Sequence, residues 1–111
     1  MKTVMRFDIW LITQADMDEL ISKEKKDKTW GPRRALKTAA FELDWPHDIP
    51  GKGEEICLAD LCRTTIERVE WWPGEPGGGV RQILTQTIYE SYQSGFDEAV
   101  AELMNLGAQP T

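Results

Sequence analysis

Thr64–Tyr92, TTIERVEWWPGEPGGGVRQILTQTIYESY, decides how the rest of the chain folds. Two arms rich in β-branched and aromatic residues flank PGEPGGG (73–79), an insert that continues neither a helix nor a strand. A segment of this kind folds back on itself. As strands, the second arm places Ile83, Thr85, Thr87 and Tyr89 on one face, and its β-branched content suits a pleated surface. As helices, Val80, Ile83/Leu84, Thr87/Ile88 and Tyr92 form one stripe, and Leu58, Leu61/Cys62, Thr65/Ile66, Val69 and Trp72 form another. Two features outside the arms favour the hairpin. Ser94 followed by Asp97 starts a helix afresh, which separates Val80–Gln93 from the C-terminal segment. The N-terminal stretch reads as a strand, and a strand needs partners.

In that stretch Met5, Phe7, Ile9 and Leu11 alternate with Arg6, Asp8 and Trp10, the pattern of a strand with one buried face. Thr13 with Asp16 opens a helix to about Asp27, with Met17, Leu20, Ile21 and Glu24 inward. Its start is acidic and its end carries Lys25, Lys26 and Lys28, the order that the helix dipole prefers. Trp30-Gly31-Pro32 stops and restarts the chain. A second helix, Arg33–Leu43, would bury Leu36, Ala39, Ala40 and Leu43, with Phe41 off the stripe. The loop Asp44–Glu55 comes next, DWPHDIPGKGEE, and a last helix, Phe96–Leu106, turns Phe96, Ala99, Val100, Leu103 and Met104 inward before Gly107. The expected fold is α+β, a single domain over 1–111 in the order β-α-α-β-β-α, with a three-stranded antiparallel sheet covered by helices. The alternative is an all-α bundle of about five helices.

At 111 residues, 41% hydrophobic and 29% charged, the chain can bury one modest core. It shows neither a membrane-length apolar run nor a signal peptide at Met1. With two cysteines, this points to a cytoplasmic protein with free thiols. Cys57 and Cys62, five apart, suit neither a disulfide nor tight zinc spacing, and read as small buried hydrophobes. No cofactor or metal is expected.

The net charge of −6 argues against a general nucleic-acid-binding surface. Its distribution is uneven. Lys23–Lys37 holds seven basic and two acidic residues, while the remainder holds six basic and seventeen acidic. Within the basic segment Lys25, Lys26, Lys28, Arg33 and Arg34 surround Trp30, the ingredients of a phosphate-tracking, base-stacking surface. The plainer interpretation is a solvated helix end with Trp30 plugging a corner. His47, between Asp44 and Asp48, is the only histidine and the only candidate for acid–base chemistry. It lacks a nucleophile, since no GxSxG is present. Gly77-Gly78-Gly79 lacks a following GK[ST] and lies beside Glu75, which would repel a phosphate, so it is a turn.

Five tryptophans are a heavy load, and Trp71 and Trp72 are adjacent, so one core cannot easily take both. An exposed tryptophan beside a glycine loop is a typical interface anchor. The expected function is therefore a non-enzymatic protein-binding module, an adaptor or an inhibitor of a larger assembly, nucleic-acid-handling assemblies included. Trp71, Trp72, Glu70 and Glu75 would meet a partner with a basic surface. Some phage-encoded inhibitors occupy nucleic-acid channels by mimicking phosphate charge, an analogy only. The alternatives are nucleic-acid binding by the Lys23–Lys37 segment and a small enzyme built on His47, Asp44 and Asp48. No membrane is implied, and the oligomeric state is open, a dimer included. No stretch resembles a known family.

Overall fold

The computed structural model describes residues 2–24, 35–57, 63–74 and 79–111, with the side chains of 23 and 24 left out. The elements run β1 (Lys2–Leu11), α1 (Gln14–Glu24), β2 (Lys37–Asp44), β3 (Glu55–Cys57), β4 (Arg63–Trp72), β5 (Val80–Thr85), β6 (Ile88–Glu90), α2 (Gln93–Asn105) and β7 (Gln109–Pro110). The described strands form one mixed sheet in the order β3-β4-β5-β1-β2-β7, with β6 also paired to β1. Both expected architectures are thereby corrected: the sheet is neither three-stranded nor wholly antiparallel, and the chain is not a helical bundle.

β1 is the axis. Its alternation is the one expected, with Met5, Phe7, Ile9 and Leu11 buried while Arg6 and Asp8 stay exposed. A strand with one apolar face also has two edges of backbone donors and acceptors to satisfy. β2 takes one edge antiparallel, Phe7 opposite Phe41, and β5 and β6 take the other in parallel, Met5 opposite Ile83 and Ile9 opposite Ile88. This pairing explains the main correction. Residues 37–44 are a strand, not the second half of a helix. As a strand, Phe41 joins the core instead of lying off its stripe, with Ala39 and Leu43 packed beside it. Leu36, expected inward, is exposed.

α1 begins as expected: the Asp16 amide donates to Thr13 Oγ1 at 3.1 Å. Leu20 is buried, whereas Ile21 is exposed. α2 starts earlier than Ser94, with Tyr92 at the N-cap position and no side-chain cap. It lays Phe96, Ala99 and Leu103 on the β1 face, and Met104 points out. Its end is a full Schellman turn. Gly107 (φ 93°) donates to the Met104 carbonyl at 3.0 Å and Ala108 to the Leu103 carbonyl at 3.0 Å, with Ala108 buried against the core. The chain then adds β7 beside β2, Pro110 opposite Phe41. No described helix is long and apolar enough to cross a membrane.

Candidate functional site

β4 and β5 pair antiparallel from Trp72 opposite Val80 to Ile66 opposite Thr85, with a bulge between Ile66 and Arg68. Because side chains alternate across a strand, the two tryptophans part company. Trp71 shares the face of Val69, Arg81 and Ile83, the face that α2 covers over β1; Trp72 shares the opposite face with Arg68, Glu70, Val80 and Gln82. The cover fails between β5 and β4: Ile83 is fully buried, while Val69 is 39% and Trp71 55% exposed. The Arg81 guanidinium lies 5.2 Å from the Trp71 ring centroid, a cation–π contact that fixes one face of the indole and leaves the remainder to solvent. Trp72 is 47% exposed. Glu70 is half-buried, its carboxylate 3.7 Å from Arg68 Nε. Glu75 lies outside the described residues.

Two clefts accompany this hairpin. One, about 420 Å³, runs between α1 (Met17, Leu20, Ile21) and the strands, and includes Arg63, Thr64 and Glu90. The other, about 380 Å³, lies on the sheet face opposite α2, beside Asp8, Glu67 and Leu84. Within it Arg6 and Glu42 pair at 2.8 Å. Among the described residues no group of three or more His, Cys, Asp or Glu is arranged to hold a metal ion.

Glu90, at the end of β6, is a described group whose proton affinity is displaced. Burial, and then the nearby Glu98 carboxylate, raise its pKa above the ordinary value of 4.5. Its carboxylate lies against the first turn of α2 at Gly95, where an added Cβ would come within 2.5 Å of Oε2. Glycine at 95 is what leaves room for that carboxylate.

The expected acid–base trio does not converge. His47 is exposed and sits edge-on to Trp45, ring centroids 5.2 Å apart, and lines neither cleft. Asp44 pairs with Lys2 at 3.2 Å, and the Asp48 carbonyl accepts from Trp45 Nε1 at 3.1 Å. Lys25, Lys26, Lys28, Trp30, Arg33 and Arg34 lie outside the described residues. Lys37, at the end of the basic segment, holds its ammonium 5.0 Å from the Phe96 ring centroid. Cys57 is exposed rather than packed, its thiol 3.5 Å from Glu55 Oε1. Cys62 lies outside the described residues. Sequence reasoning missed Arg81 and Glu90. Arg81 becomes legible once Trp72 is paired with Val80, since the adjacent pair in register joins Trp71 to Arg81. Glu90 has no local signal, because its burial depends on α2 folding back over β6.

No protein-family model, no curated protein and no solved structure matches this chain.

Proposed function

We propose that this chain is a non-enzymatic protein-binding module, an adaptor or inhibitor that engages a basic surface on its partner through the end of the β4–β5 hairpin. The observation that supports it is the pair Trp71 and Trp72, directed to opposite faces and each about half exposed. Large indoles left in water at a hairpin end are the residue type that dominates interface energies. Anchors on both faces suit a partner that grips the hairpin from two sides. The net charge of −6 favours long-range encounter with a basic partner.

The test is capture from a native lysate by the immobilised wild-type chain and by a W71A/W72A variant of unchanged charge. Each anchor lost should weaken binding by roughly thirtyfold, from about 2 kcal/mol per hot-spot tryptophan. Species retained by the wild type should therefore vanish with the double variant. Equal capture by both, or no enrichment over an unrelated acidic protein, removes the proposal.

A further inference from the structure

We infer that two copies of this chain associate through the outer edge of β4, pairing antiparallel about Val69 to extend the sheet across a two-fold axis. This goes beyond the partner proposed above, since it uses the backbone edge of the strand and needs no other protein. β4 has β5 on one side along its length. On the other side β3 reaches only Thr65, and the last backbone bonds there join Ile66 to Gly53 and Glu54. Among the described residues nothing pairs with that side from Glu67 to Trp72, and every residue of the stretch except half-buried Glu70 is exposed. An open edge of this length is a template for another strand unless its side chains forbid it.

Charges on an edge usually provide that defence, because a second copy brings like against like. Here the order Arg68-Val69-Glu70 makes one register attractive. Centred on Val69, antiparallel pairing sets Arg68 opposite Glu70 of the second copy, Glu70 opposite its Arg68, and the two exposed valines against each other. Centred on Glu70 or on Arg68, a like-charged pair meets at the axis instead. Centred between Arg68 and Val69, Glu67 meets Glu70. Centred between Val69 and Glu70, no ion pair forms. The intrachain contact from Arg68 to Glu70 is long, 3.7 Å, and the arginine side chain is 61% exposed, so both groups are available to exchange partners. The register is also bounded: it sets Glu67 opposite Trp71 of the second copy, and one residue further on the Ile66 amide and carbonyl are already taken by Glu54 and Gly53, so the new ladder spans Glu67 to Trp71.

The helices leave room for this. α2 lies over β1, two strands in from the edge. At a strand spacing of about 4.8 Å the two copies of α2 would stand roughly 24 Å apart on the same side, well beyond helix contact. Two-fold pairing of one surface with itself is also the commonest form of self-association.

The experiment is sedimentation equilibrium of the purified chain at sub-millimolar concentration, with no partner present, so its outcome is separate from that of the lysate capture. The wild type should approach twice the chain mass. R68E alone puts carboxylates opposite each other at both pairs, and E70R alone puts guanidiniums there; each should weaken the dimer by roughly tenfold or more. The double variant R68E/E70R restores both pairs and should dimerise again. Most diagnostic is a mixture of R68E with E70R, which should form the mixed dimer while neither does so alone. A wild type that stays monomeric, or single variants that dimerise as well as the wild type, or a mixture that stays monomeric, overturns the inference.

Discussion

Replacing Thr85 by valine tests how one stretch of chain stays beside β1 across a break in its pairing. Between the paired blocks β1 advances from Arg6 to Ile9, while its neighbour advances from Leu84 to Ile88, one residue more. The surplus residue interrupts the ladder, and Thr85 Oγ1 fills in by donating to the Arg6 carbonyl at 2.9 Å. Thr85 is only 7% exposed, so water cannot readily replace its hydroxyl. Valine matches threonine in shape but has no donor. A hydrogen bond of this kind contributes about 1 kcal/mol net, and an orphaned buried acceptor costs about 1–3 kcal/mol. The added methyl returns part of that, leaving a loss of about 1–2 kcal/mol. For a domain near this length the melting temperature should fall by roughly 4–10 °C. Urea denaturation at neutral pH should show the midpoint move with the slope unchanged. A T85V protein as stable as the wild type would refute the role given to this hydroxyl. In that case the parallel ladders on either side of the break, with the packing of Ile83 and Ile88, hold the two segments without it.

Trp71→Ala should cost at most about 1–2 kcal/mol in thermal denaturation, since it removes an exposed cation–π contact and a half-buried ring, where a core tryptophan would cost about 3–5; a larger loss would make Trp71 structural. Gly107→Ala should destabilise by about 1 kcal/mol because its φ of 93° lies in the left-handed region, and Gly107→Asn by less, as chemical denaturation can rank. Glu90→Gln should flatten the pH dependence of stability. The raised Glu90 pKa contributes stability fully below about 4.5 and loses it as pH rises through the folded value, so the variant should gain on the wild type between pH 4.5 and 7 in urea midpoints. No such gain would mean that Glu90 ionises as freely as in the unfolded chain.

Where the sequence carried its own local physics, it was readable. The alternation of Met5, Phe7, Ile9 and Leu11 against Arg6 and Asp8 marked a half-buried strand before any partner was known, because period two needs only a surface with two sides. Thr13 announced α1 through an oxygen that reaches its own first turn, and Gly107 announced the end of α2 through a backbone angle that costs other residues energy. The split of Trp71 and Trp72 to opposite faces likewise comes from adjacency in a strand. What misled was Lys37–Asp44, where two alanines and the 3–4 spacing of Leu36, Ala39, Ala40 and Leu43 imitate a helix. The misfit of Phe41 was the clue, but its weight came from Phe7, far away in sequence and directly opposite in the sheet. Tertiary structure alone also decided that β5 and β6 run parallel to β1, that α2 raises the pKa of Glu90 by burying it, and that Arg81 comes to lie against Trp71. Each of these depends on contacts between distant segments, whose free energy appears only when the whole sheet closes around β1.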